Sequence, residues 1–177
     1  MNLYLVRHGK TSWNKEGRIQ GRTDIELIDE GRKTAQELNK EFENIKVDVC
    51  FASPLKRTKE TAAIIIGDKE IPVIYDDLLL ERSFGELEGT LIDNDKLNRL
   101  WNFDIHDNIY NEETIRDLFN RAKKVLDLLK SSGYENILVV THGALMKAIH
   151  FNIVGYDEKT DLFSWFPENA KVYKYTI

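Results

Sequence analysis

The sequence predicts an α/β fold: a three-layer α/β/α sandwich around a mainly parallel central sheet. Short apolar runs alternate with amphipathic stretches along the chain. The runs are near-continuously apolar, as strands buried on both faces are. No repeat, low-complexity tract or linker divides the 177 residues, so one domain spanning 1–177 is expected.

Asn2 to Val6 reads as a buried strand that ends at Arg7-His8-Gly9. Residues 10–28 are polar and without period, so they read as a long functional loop. From Asp29 to about Ile45, a helix puts Ala35, Leu38, Phe42 and Ile45 on one face. Val47 to Ala52 is a second buried strand. Ser53 is a good N-cap and Pro54 suits a first helical position, so a helix is expected from there to Ile66, stopping at Gly67. Ile71 to Tyr75 reads as a third strand.

Residues 77–112 are irregular and read as a short lid insertion, with a small helix around Asp93–Leu100. Thr114 and Asp117 resemble a capping box for a helix that buries Leu118, Ala122, Val125 and Leu129 and ends near Gly133. Ile137 to Val140 is a fourth strand, followed by Thr141-His142-Gly143 and an apolar helix from Ala144 to about Val154. Leu162–Phe166 and Lys171–Tyr175 read as closing strands.

The composition is that of a soluble globular chain, 42% hydrophobic and 31% charged. A net charge of -5 argues against nucleic acid and anionic membrane as partners. It leaves room for an anionic metabolite opposed by a local cluster of arginines. Cys50 is the single cysteine, in an apolar run, and favours a reducing compartment. With no signal peptide and no run near the ~20 residues of a membrane span, a cytoplasmic location is expected. Oligomeric state has no sequence signal.

Two segments share one form, a buried strand followed by His-Gly: Leu3–Gly9 and Leu138–Gly143. In open parallel sheets ligands bind at the carboxyl ends of strands, so His8 and His142 are placed where a ligand belongs. Gly9 and Gly143 would permit a sharp turn and close approach. One such histidine would be packing; two in matched context point to function. The helix after Ser53 offers an anion site at its N-terminus, with Arg57 one turn in and Arg7 beside His8. Two guanidinium groups suit a tetrahedral oxyanion, although an isolated Arg57 would be a solvated helix residue. Glu81 follows Leu78-Leu79-Leu80, and a carboxylate held against apolar neighbours suits a general acid; an ordinary loop glutamate would look the same.

Leu5-Val6-Arg7-His8-Gly9-Lys10-Thr11-Ser12-Trp13-Asn14 resembles the signature of the histidine phosphatase superfamily, also called phosphoglycerate mutase-like. The resemblance continues through Gly17–Gly21, Ser53–Thr58 with Thr61-Ala62, Glu81–Gly89 and Val140–Gly143. It implies a phosphoglycerate mutase-like fold and a phosphatase acting on small phosphomonoesters through a phosphohistidine. His8 would be the nucleophile, with Arg7, Arg57 and His142 lining the phosphate pocket. Glu81 would protonate the leaving alcohol and then activate water. Asn14, Gln20, Gly21, Arg82 and Gly143 fall at substrate-binding positions. No cofactor and no metal are implied, and the partner is a small phosphorylated metabolite.

Lys10 stands where the family usually has Glu or Gln, which predicts a more cationic mouth together with Arg18 and Arg22. Ile28 replaces a usual threonine cap, so Asp29 is expected to cap instead. Thr58, Leu87 and Glu112 also depart from the pattern, at positions that bear on lid shape and substrate choice. A cofactor-dependent phosphoglycerate mutase is the alternative within the family. Such mutases carry a longer insertion after the Phe84–Gly89 block, and the short lid here favours hydrolysis. A metal hydrolase using His8, His142 and Asp24 is disfavoured by the adjacent arginines. A non-catalytic phospholigand-binding protein is disfavoured by the full set of reactive residues.

Overall fold

The computed structural model describes residues 1–177. Five strands form one sheet: β1 (Asn2–Arg7), β2 (Val49–Ala52), β3 (Val73–Tyr75), β4 (Asn136–Thr141) and β5 (Val172–Thr176), in the order β3-β2-β4-β1-β5. β1 with β4, β2 with β4, and β2 with β3 pair parallel; β5 closes the β1 edge antiparallel. The helices are α1 (Ser12–Glu16), α2 (Asp29–Glu41), α3 (Lys56–Ile66), α4 (Asn94–Leu100), α5 (Ile115–Ser131) and α6 (Gly143–Val154). None is long and apolar enough to cross a membrane.

Side-chain alternation along the strands makes the three layers. Leu3, Leu5, Val49, Phe51, Ile137 and Val139 face the side covered by α5 and α6. Val6, Cys50, Ala52, Leu138 and Val140 face the side where α2 and α3 bring Leu38, Ala62, Ile65 and Ile66. Cys50 packs as a small hydrophobe, and burial pushes its thiol up to about 12. On α5 the buried Leu118, Ala122, Val125 and Leu129 form the expected stripe. Truncating one such leucine costs on the order of 2–5 kcal/mol. The lid region joins the same core through Leu79, Phe84, Leu87, Leu100 and Trp101.

Four local expectations are corrected. The 10–28 segment holds α1, fixed by a capping box in which Thr11 Oγ1 accepts from Asn14 N–H and Asn14 Oδ1 accepts from Thr11 N–H. The helix after β2 begins at Lys56, not at Pro54: Leu55 holds the cap position with extended backbone, and Asp24, distant in sequence, accepts from the Lys56 N–H at 2.8 Å. Asp29 does not cap α2; Ile28 holds the cap position without a side-chain bond, and Asp29 pairs with Arg32. Leu162–Phe166 is not a strand, because β5 already occupies the β1 edge.

Candidate active site

Three parallel strands deliver their carboxyl ends to one crevice. β1 ends in Arg7 and runs into His8; β4 ends at Thr141 and runs into His142; β2 runs into Ser53. Arg57 enters from the first turn of α3, and Glu81 from the chain just after β3. Arg7, His8, Arg57, Glu81, Asn14, Gln20, Gly21 and Gly143 all line one cleft that opens to solvent. The two histidine rings lie 5.2 Å apart, centre to centre. His142 is fully buried behind His8 and is not part of the cleft wall.

The tautomer of His8 follows from its partner. Nδ1 lies 2.7 Å from Gly9 O, and a carbonyl can only accept, so Nδ1 carries the proton and Nε2 presents a lone pair. Burial, then Arg57 and Arg7, hold this imidazole well below the usual histidine range, so it is neutral at pH 7. His142 is held low in the same way, by burial first and then by Arg57, His8 and Arg7. Its Nε2 lies 2.8 Å from Ser53 Oγ. Ser53 Oγ also accepts a long bond from Leu55 N–H, at 3.5 Å.

Arg57 is fully buried and donates to Gly21 O at 2.7 Å and Thr23 O at 2.8 Å. Burial lowers its proton affinity to about 10, which leaves it charged at neutral pH. Arg7 donates to Pro167 O and lies against the Phe166 ring. Arg7 Nε and Arg57 Nε are buried donors with no hydrogen-bond partner in the protein, and His142 Nδ1 is a buried ring nitrogen without one. Buried donors of this kind are rare and call for an explanation.

Glu81 is not held by apolar neighbours as expected. Its carboxylate fills the N-terminus of α6: Oε1 accepts from Arg82 and Leu145 N–H, and Oε2 from Ala144 N–H, at 2.9–3.1 Å. The first N–H groups of a helix have no intrahelical partner, so this is a cap as well as a site residue. Oε2 carries one bond and keeps the freer lone pair.

Gly9 and Gly143 are needed for close approach, not for a left-handed turn, since neither has a positive φ. A Cβ on Gly9 would fall 2.6 Å from Gly31 O, and one on Gly143 would fall 3.3 Å from the Arg7 guanidinium. Arg82 does not reach the cleft. Its guanidinium turns inward to Glu113 O and Leu100 O, between the rings of Phe84 and Trp101, so it braces the cleft wall and the expected substrate contact is not made. Lys10 does not reach the cleft either; it pairs with Glu30 at 2.5 Å. Arg18 is tied to Glu16 and Gly89 O, and Arg22 to Glu81 O. The cationic mouth is therefore largely neutralised within the protein. Asp24 caps α3, away from the two histidines.

Several positioning residues had no role in the sequence reading. Thr61 Oγ1 accepts from Gly9 N–H at 2.9 Å and donates to Arg57 O at 2.6 Å, joining the nucleophile's turn to the arginine's helix. Asn169 donates to His8 O at 2.8 Å. Glu88 accepts from the N–H groups of Arg22, Thr23 and Phe84, fixing the loop whose carbonyls hold Arg57. Thr61 was findable as the residue one turn after Arg57; Asn169 carries no local signal.

The family model for histidine phosphatase superfamily (branch 1) matches residues 3–177. The chain belongs to that superfamily. It is 36% identical over 156 residues to a phosphatase of Bacillus subtilis named PhoE, covering 86% of this chain and 77% of that one. It is 30% identical over 161 residues to a 2,3-bisphosphoglycerate-dependent phosphoglycerate mutase of Gloeobacter violaceus, covering 83% of this chain and 73% of that one. Among solved structures, the phosphoserine phosphatase of Entamoeba histolytica in complex with 3-phosphoglyceric acid superposes with a TM-score of 0.81 at 30% identity. That match covers 98% of this chain and 89% of that one.

Proposed function

We propose that this chain hydrolyses small phosphomonoesters through a phosphohistidine on His8 Nε2, without a metal. One observation carries the reading: a neutral His8 with a free Nε2 lines one cleft with Arg7 and Arg57, whose buried Nε donors have no protein partner. A phosphoryl group on His8 would supply acceptors for these two guanidinium groups. The transition state of phosphoryl transfer asks mainly for positioning and charge stabilisation, which this set supplies.

His8 Nε2 attacks phosphorus, and the bond from phosphorus to the alcohol oxygen breaks. Protonated Glu81 delivers its proton from Oε2 to the leaving alkoxide. Glu81 then takes a proton from water, whose oxygen attacks phosphorus, and the bond from phosphorus to His8 Nε2 breaks. Inorganic phosphate leaves and His8 returns to its neutral form. Splitting one displacement into two in this way is what a nucleophilic side chain contributes. Asn14 and Gln20 have their Oδ1 and Oε1 engaged by Thr11, which leaves their amide nitrogens for substrate oxygens. A cytoplasmic location goes with this reading, since a lone buried thiol needs no oxidising compartment.

Rapid quench in alkaline detergent with a ³²P-labelled phosphomonoester should trap label on the chain, labile to acid and stable to base, and absent from His8→Ala. Label that persists in His8→Ala would overturn the assignment. The similarity to a mutase supports a second reading, interconversion of phosphoglycerates. The open cleft and short lid favour water as acceptor. Incubation with 3-phosphoglycerate and 2,3-bisphosphoglycerate separates the two: isomer formation faster than phosphate release would favour the mutase.

A further inference from the structure

Lys147 lies one turn into α6, four residues after Gly143, and is only 1% exposed. Side chains on a helix lean towards its N-terminus, so the stem runs back to the cleft end of α6. Its ammonium group makes no salt bridge. Instead it sits over three rings: Trp101 at 4.4 Å, Phe166 at 5.2 Å and Phe163 at 5.3 Å. Arg82 lies on the Trp101 ring at 5.6 Å, and Arg7 on the Phe166 ring at 5.1 Å. The result is one run of cation–ring contacts: Arg82, Trp101, Lys147, Phe166, Arg7.

The run joins separate parts of the chain. Trp101 belongs to the lid, and Phe163 and Phe166 to the loop before β5. Trp101 and Phe166 both line the cleft. Phe163 and Phe166 are 50% and 58% exposed, so core packing alone does not hold them. A buried charge is costly unless it is compensated, and aromatic faces are the compensation here. An apolar side chain would fill the space on α6 more cheaply; the charge is what binds the two walls.

We propose that Lys147 is a positioning residue: its ammonium clamps the lid to the C-terminal loop across the outer cleft and sets the shape of the site for the substrate's alcohol part. The catalytic half of this inference rests on the phosphatase reading above; the clamp does not. The charged groups facing Lys147 are Arg82 across Trp101, Arg7 across Phe166, and Asp161 on the C-terminal loop. His150, a turn further along α6, is stacked on Trp165. Burial draws the Lys147 amine down to about 8, with Asp161 opposing. The clamp is therefore charged at neutral pH and loses its charge as pH rises through that value.

The chain has three tryptophans, so replacing Trp13 and Trp165 with Phe leaves Trp101 as the sole indole reporter. Acrylamide quenching of Trp101 should be low at neutral pH and rise through about pH 8. Lys147→Arg should abolish that rise, because a guanidinium stays charged. Lys147→Met should quench strongly at every pH. In the otherwise native chain, Lys147→Met should raise KM for 1-naphthyl phosphate roughly fivefold or more with kcat within about twofold, and Lys147→Arg should restore KM. Quenching in Lys147→Met equal to that of the parent, or Lys147→Arg behaving as Lys147→Met, would overturn the clamp. If Lys147→Met does not fold, the parent's own pH titration against Lys147→Arg decides. A parent that releases no phosphate from any ester fails the phosphatase reading alone, and the quenching data still judge the clamp.

Discussion

Ser53 Oγ and His142 Nε2 lie 2.8 Å apart, although 89 residues separate them in the chain. That bond spans the ends of β2 and β4 and orients a buried ring whose other nitrogen has no protein partner.

Removing this bond tests its role. Ser53→Ala should leave the fold intact and lower kcat/KM about tenfold, the equivalent of one lost hydrogen bond of ~1.4 kcal/mol. Ser53→Thr should recover part of the loss if the methyl is accommodated. Steady-state kinetics on p-nitrophenyl phosphate supply the measurement. Unchanged kinetics in Ser53→Ala would mean that the orientation of His142 does not matter to turnover.

Much of this site was legible in the sequence, for a physical reason. Strand ends in a parallel sheet converge, so His8, Arg7 and His142 could be placed from two apolar runs and the residues that follow them. Arg57 could be placed because it opens a helix. Arg82 could not, since adjacency to Glu81 says nothing of which way a side chain turns. The bonds from Gly9 to Thr61 and from Asn169 to His8 span 52 and 161 residues, beyond any local pattern. Helix α1 was missed because five residues are too few to show a period. The apolar stretch Leu162–Phe166 looks like a strand, yet Phe166 lines the cleft and Trp165 stacks on His150.

Two buried, neutral histidines make stability depend on acid. Burial first, and then the arginines, depress both in the folded chain, whereas unfolded histidines titrate near the ordinary value of about 6.5. Below that pH the unfolded chain binds more protons than the folded one. Stability is therefore fully present above about pH 6.5 and is lost as pH falls, by up to about 1.4 kcal/mol per pH unit for each histidine. Urea unfolding at a series of pH values should show this slope, and His142→Asn should reduce it. Equal slopes in parent and variant would show that His142 is not held neutral. The acid limb of kcat/KM that reports His8 should accordingly lie at a pH below 6.5, since His8 is still neutral at that pH.

Glu81 braces α6 and is also placed to handle the leaving group, and one substitution separates the two roles. Glu81→Gln loses one acceptor oxygen but keeps the other, so part of the cap persists. If Glu81 is the general acid, phosphoserine hydrolysis should fall by roughly 10²–10⁴-fold while p-nitrophenyl phosphate, with a good leaving group, loses far less. Equal losses on both esters would leave only the capping role.

The sequence placed Lys10 at a cationic mouth, which predicts selection for substrates carrying a second anion. The structure leads to the opposite expectation. Lys10 Nζ pairs with Glu30 Oε1 at 2.5 Å, in a groove that adjoins the catalytic cleft through Arg7 and Phe166, and Lys10 does not line the cleft itself. Its charge is compensated before any substrate arrives, and the pair is solvent-exposed, so its field at the cleft is weak. Arg18 and Arg22, its neighbours in the loop, are engaged in the same way by Glu16 and by backbone carbonyls. Lys10→Glu should therefore shift KM for phosphoserine and for p-nitrophenyl phosphate by the same factor, with their ratio constant to within about twofold at low salt. A rise in KM confined to phosphoserine, and shrinking as salt is added, would return Lys10 to the rim of the site and show that its pairing with Glu30 yields to substrate.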